Sequence, residues 1–344
     1  RMDESYTRLS SYLNVAEDEI NFGPSTSQNV YVLANALRPM WQAGDEIIAS
    51  TQDHEANAGA WRRLEQSDIV VRDWNINPAS GLLDIADLDN LISSRTRMIA
   101  FPHASNLIAH VNPVREVAEK AHRVGAIAAV DGVSYAPHGL PDIAALGADI
   151  YLFSLYKTWG PHLGLMFVRG ELRDKMSNQS HFFHQGKARN MLVPAGPDHA
   201  QIAAAAGLVD YLDAVYAHHF TEQVDSAQKG RALHALFSAH EKTLLAPLLK
   251  FLKSRDDVRI IGPDEPSTRA ATVTILPLGK KIKDVEQGLA QEKLMVATGN
   301  FYGVRPLTAM GIDLDPGVLR MSLVHYNTMA EVDQLIAGLT RALA

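Results

Sequence analysis

The chain has 344 residues, 47% hydrophobic and 21% charged, which is enough apolar material for one large core and a smaller second one. A formal charge of −7 with no run of Lys and Arg argues against a nucleic-acid partner, and no apolar stretch is long enough to span a membrane. The absence of cysteine rules out disulfides, thiolate metal sites and thiol nucleophiles together.

Residues 1–14, RMDESYTRLSSYLN, read as a helical lead-in too polar for a signal peptide, so a cytoplasmic protein is expected. Gly23, Pro24, Ser25 and Thr26 then form a turn feeding a helix start, where small hydroxyls and free N–H groups make a ready anion site. From about residue 45 to 170, short apolar runs alternate with amphipathic stretches, the pattern of an α/β domain with a mostly parallel sheet. The candidate strands are EIIAS (46–50), IVVRDW (69–74), MIAFP (98–102), AIAAVD (126–131), IYLFS (150–154) and GLMFVR (164–169). Between them VREVAEKAHRVG (114–125) carries apolar residues at helical spacing and ends in Gly125, a stop signal. A long irregular loop (181–197) precedes an Ala-rich helix from about Asp198 to Tyr216. From roughly residue 240, a helix, RIIG, ATVTILPL and VLRMSLVHYNTMAEVDQLIAGL suggest a smaller α+β domain. The expected division is a large domain over 15–240 and a small one over 241–344, with no internal repeat.

In an open parallel sheet, ligands gather at the carboxyl ends of the strands, which directs attention to the residues just after each apolar run. Asp131 ends one such run, and Ser154 and Lys157 come at the end of another. A carboxylate at a sheet edge can keep a pyridine nitrogen protonated, and a lysine among Tyr156, Trp159 and Pro161 would have its amine pKa lowered and become nucleophilic. Taken singly, Asp131 could be a turn cap and Lys157 a solvated surface charge. Their place on successive strand ends favours chemistry. Ser154 can reach the same phosphate that Ser25 and Thr26 would cradle.

The runs SLYKTWGPHLG, AVDG, QDHEANAGAW, ASNLIAHVNPV and VLRMSLVHYNT, spread along nearly the whole chain in the family's order, resemble the class V aminotransferase family. These are fold-type-I enzymes dependent on pyridoxal 5′-phosphate (PLP), a family that includes cysteine desulfurases and isopenicillin-N epimerase. The resemblance implies an α/β fold with a large, mostly parallel central sheet and a smaller α+β C-terminal domain, a homodimer, and a small amino acid as substrate. By position it implies that Lys157 holds PLP as a Schiff base, that Asp131 pairs with the pyridinium nitrogen, and that Asn106 lies near the phenolic oxygen. His54 would stack on the ring and assist proton transfer, and Arg320 would grip the substrate carboxylate. Asn300 is assigned to the substrate side, in the loop 297–306 that bears on substrate choice.

Several positions depart from the family. Ser134 stands where a glutamine is frequent and Tyr156 where a histidine precedes the lysine, which rearranges the cofactor contacts these two would make. Ala195, Gly196 and Pro197 replace a small turn that reaches the neighbouring subunit's phosphate, and proline offers neither N–H nor hydroxyl. Tyr302 stands near the place of the desulfurases' persulfide cysteine, so this chain acting alone cannot mobilise sulfur that way. The chain also begins well inside the length of a full relative, which leaves open whether a segment helping to close the site precedes it.

With these residues in place, Lys157 is the natural general base at the substrate α-carbon. Transamination is the preferred outcome, with β-elimination and epimerisation after it. A non-catalytic protein of the same fold is opposed by Lys157 and Asp131, which a merely structural sheet does not need. A nicotinamide enzyme is opposed by the lack of G-x-G-x-x-G after an early strand. His103, His110, His138 and His162 match no metal-ligand spacing, so no metal is expected.

Overall fold

The computed structural model describes residues 1–344. Seven strands form the main sheet: β1 (Ile20–Gly23), β2 (Glu46–Ser50), β3 (Val70–Trp74), β4 (Thr96–Pro102), β5 (Ile127–Asp131), β6 (Ile150–Ser154) and β7 (Gly164–Val168). Their order across the sheet is β1-β7-β6-β5-β4-β2-β3. The run from β6 to β3 is parallel, while β7 is antiparallel to both β6 and β1.

Continuous apolar runs make the central strands, because helices cover both faces of the sheet. In β6, Tyr151 and Phe153 face one core with Ile20, Phe22 and Leu165, whereas Ile150 and Leu152 face a second with Val30, Trp61 and Met166. This is the period-2 alternation of a strand with two dry faces. β3 is the exposed edge, and its charged Arg72 and Asp73 blunt it. The six expected strands are all present, with ends shifted by no more than two residues. β1 is the addition, too short at four residues to announce itself.

The helix Val114–His122 buries Val114, Val117, Ala118 and Ala121, the i, i+3, i+4, i+7 stripe read from sequence. The lead-in helix Met2–Leu13 puts Tyr6, Leu9, Tyr12 and Leu13 into the main core, so it is an integral part of the large domain. The Ala-rich helix runs His199–His219 with Asp198 as its cap.

The next helix begins earlier than expected, spanning Ser226–Lys253 from an Asp225 capping box with Gln228. Residue 240 therefore lies inside one continuous helix. Leu233 and Phe237 of its first half pack in the large core, and Leu244, Leu248 and Leu252 of its second half in the small one. The physical junction is the middle of this helix and not a linker. The small domain adds β8 (Val258–Ile261), β9 (Thr272–Pro277), β10 (Ala297–Gly299) and β11 (Val318–Ser322) as an antiparallel sheet in the order β10-β11-β9-β8. β10 occupies the start of a segment read as loop. No helix is long and apolar enough to cross a membrane.

Candidate functional site

The carboxyl ends of β2, β4, β5 and β6 open on one edge of the sheet, and there a cavity of about 590 Å³ lies between the two domains. Lys157, Asp131, His54, Asn106, Thr26, Ser134, Ser154, Tyr156 and Arg320 all line it. Ser25 and Asn300 do not.

The antiparallel β7 completes the edge. Its first residue, Gly164, pairs with Gly23 of β1 on one side and Ser154 of β6 on the other. A Cβ on Gly164 would stand 2.4 Å from the Ser25 carbonyl carbon and 2.5 Å from the Thr26 nitrogen, so only glycine lets the helix Thr26–Leu37 start this close to the sheet. The buried Thr26 and Ser154 hydroxyls then meet at 2.8 Å. The Ser25 side chain accepts from the Gln28 N–H and serves as the helix cap. Ser27 takes the lining place expected of Ser25, with Tyr31 one turn further on the same helix face.

Asp131 is 5% exposed at the end of β5, and one carboxylate oxygen accepts the Val133 N–H at 2.8 Å. Burial pushes its pKa upward, against the pull of that N–H and of the Lys157 charge. Gly132 is required next, since a Cβ there would lie 2.1 Å from the Tyr151 ring.

Lys157 ends a tight turn in which Thr158 donates to Leu155 O at 2.9 Å and Trp159 has a left-handed φ of 63°. Its surroundings differ from the expected apolar ones. Lys157 is exposed to the cavity with its Nζ 5.9 Å from the Tyr156 ring centroid, and Tyr156 is itself 42% exposed. Trp159 turns the other way, packing against Tyr211, Phe237 and His325.

His54 caps the helix Glu55–Arg62, its Nδ1 accepting from the Ala56 N–H at 3.0 Å, which leaves the proton on Nε2. Burial, with the Lys157 and Arg320 charges nearby, holds its pKa down to about 4, so the ring is neutral at pH 7. Next to it in the chain lies a buried acid that the sequence pattern did not single out. Asp53 accepts from Ser50 Oγ at 2.6 Å and from Asn57 Nδ2 at 2.9 Å, and Asn57 in turn accepts from Trp61 Nε1. Asp53, Asn57 and Trp61 recur every four residues, a helical spacing that is visible in QDHEANAGAW.

Arg320, mid-strand in β11, crosses to the large domain. It donates to Asn106 O at 3.2 Å, stacks 3.9 Å above the Phe301 ring, and has no acidic partner. Burial lowers its pKa. Asn106 Nδ2 donates to Phe301 O at 2.9 Å, while its Oδ1 is buried without a partner. Asn300 accepts the Tyr302 N–H at 3.0 Å and shapes the loop in place of reaching the cavity. Ala195, Gly196 and Pro197 line a separate cavity beside Gln28 and His162.

The class-V aminotransferase model matches residues 1–335. The chain belongs to the class V aminotransferase family. Among its relatives, an aminotransferase-like protein of Gibberella zeae is 31% identical over 99% of this chain and 83% of that protein. A cysteine desulfurase-like protein of Aspergillus flavus is 30% identical over 94% of this chain and 74% of its own, and a cysteine desulfurase of Cronobacter sakazakii 29% identical over 99% and 82%. A cysteine desulfurase structure from Escherichia coli superposes with a TM-score of 0.84 at 23% identity, covering 99% of this chain and 83% of that one, which shows the fold, fold type I.

Members of this family are PLP-dependent, and this class V chain shares that cofactor. The cavity fits it. The helix start held against β7 by Gly164 and the buried Asp131 carboxylate offer an anion site and a base for a protonated nitrogen in one space.

Proposed function

We propose that this protein is a PLP enzyme acting at the α-carbon of an amino acid, with an aminotransferase-type reaction, and that it works as a homodimer. The observation that carries the reading is Arg320: a guanidinium without an acidic partner, lining the same cavity as Lys157 and Asp131, is placed to receive a substrate carboxylate.

In this reading the Lys157 amine is the group that would hold the cofactor covalently. Asp131 holds the proton of the ring nitrogen, and Thr26, Ser27 and Ser154 with the helix N–H groups take the phosphate. PLP supplies an electron sink that stabilises negative charge at the substrate α-carbon. The Lys157 amine would move the substrate α-proton as general base. His54, neutral and fixed by the Ala56 N–H, offers a flat face for stacking and an Nε2–H for donation. Asn106, Ser134 and Tyr156 bound the remaining cofactor edge, and Asn300 acts on the substrate side through the loop it shapes. Loss of a β-substituent and epimerisation start from the same α-proton, so the residues support them as second readings.

The test is borohydride reduction of the PLP-loaded protein, with peptide mass mapping of the product. Fixation of the cofactor on Lys157, and none in Lys157→Ala, is the expected result. No fixation in the intact protein overturns the reading.

A further inference from the structure

Three exposed aromatic rings converge on the cavity from three separate elements: Tyr302 (70% exposed), Tyr156 (42%) and Tyr31 (38%). Tyr302 is the most exposed of the three, and its main chain is held in an unusual conformation. It and Phe301 both have left-handed backbones, with φ of 57° and 49°. Two successive non-glycine residues there are costly and persist only where surrounding contacts impose them. Those contacts are present. Phe301 O accepts from Asn106 Nδ2, Tyr302 O accepts from the Glu55 N–H at 2.9 Å, and the Tyr302 N–H donates to Asn300. These bonds fix the Tyr302 main chain, and its ring lies 5.2 Å from His54, largely uncovered by the rest of the chain.

We infer that Tyr302, with Tyr156 and Tyr31, makes this site specific for an amino acid with an aromatic side chain. The inference rests on the cavity being the amino-acid site proposed above. Tyr156 already meets the His162 ring at 4.4 Å and Tyr31 the Arg63 guanidinium at 5.1 Å, so Tyr302 has the most ring area left to bury, and an aromatic side chain matches it face-on or edge-on. A cationic side chain would meet Arg320 over Phe301, and the one acid at the mouth, Glu55, already lies 3.6 Å from Arg305. An acidic side chain would need a cation to spare, and the two that line the cavity are committed to cofactor and α-carboxylate.

The experiment titrates the PLP-loaded protein with Phe, Tyr, Leu, Ala, Glu and Lys, reading the change in the cofactor absorption band. Phe and Tyr are expected to bind roughly tenfold or more tighter than Ala and Leu. The ratio of Ala to Phe dissociation constants collapses in Tyr302→Ala and is retained in Tyr302→Phe. It is also retained in Tyr326→Ala, an exposed ring that does not line the cavity. A preference for Leu, Glu or Lys over Phe, or an unchanged ratio in Tyr302→Ala, overturns the inference. Borohydride fixation in the same preparation separates the two levels. Lys157 labelled without aromatic preference sinks this inference alone, whereas Lys157 unlabelled sinks the function on which it rests.

Discussion

The Arg320 guanidinium stacks 3.9 Å above the Phe301 ring while donating to the main chain of Asn106, so one small-domain side chain is fixed by the large domain and by a loop of its own domain. Its partners are a ring and a carbonyl, and its charge is left for a ligand. Arg320→Gln is expected to weaken binding of the amino-acid substrate by about 1.5–3 kcal/mol, the range for a hydrogen bond to a charged group, while cofactor retention is unchanged. Titration of both proteins with the responding amino acid, beside a PLP count after dialysis, checks it.

Imidazoles withdrawn from solvent contribute to the acid side of the stability profile. Burial holds His54 to about 4, His103 to about 3 and His325 to about 4. The unfolded chain takes up these protons near the ordinary value of about 6.5, the native protein only at lower pH. The unfolded state therefore binds more protons in that window, and stability falls as pH drops from about 6.5 toward 4, by up to about 1.4 kcal/mol per pH unit for the fully buried His103 and by less for the partly exposed His325. Urea unfolding at pH values across this range, with His103→Gln showing a shallower decline, measures the effect.

Asp53 acts in the opposite sense. Burial, with Asp131 adding to it, raises its pKa to about 8. The native state keeps this proton between the ordinary carboxyl value and about 8, so the stability linked to it is complete below about pH 4 and lost as pH rises through 8. Asp53→Asn carries no such titration. Its stability relative to the parent is expected to improve between about pH 5 and pH 8, by no more than about 1.4 kcal/mol per unit. An offset independent of pH would show that Asp53 is charged throughout.

Gly164→Ala places a methyl carbon against the backbone of Ser25 and Thr26, which cannot swing aside as a side chain would. A loss of about 1–3 kcal/mol in stability is expected from overpacking. PLP retention should fall with it, because the same contact seats the helix N-terminus in the cavity. Thermal melts and dialysis of the loaded variant read both.

Asp131 and Lys157 are legible in the sequence because each comes at the end of an apolar run, and a parallel sheet carries the residues after its strands to one edge. The motif order identifies the family and, with it, His54, Asn106 and Arg320. The start of the helix Ser226–Lys253 is not legible, since one helix serves two cores and its polar face masks where it begins. Ser25 and Asn300 have the right residue types, but a hydroxyl at a helix start and an amide in a tight loop can satisfy local N–H groups as readily as a ligand, and these two do.

By itself the sequence determined the strand order of residue types, the carboxyl-edge chemistry and the lack of any thiol. Only the tertiary structure decided that Lys157 faces open cavity with Trp159 turned away, that Arg320 has no acid beside it, and that Tyr302 lines the site with its ring largely exposed. The reason is physical: local patterns are set by neighbours in the chain, whereas exposure, pairing and strain depend on residues far away in sequence, as Arg320 does on Asn106.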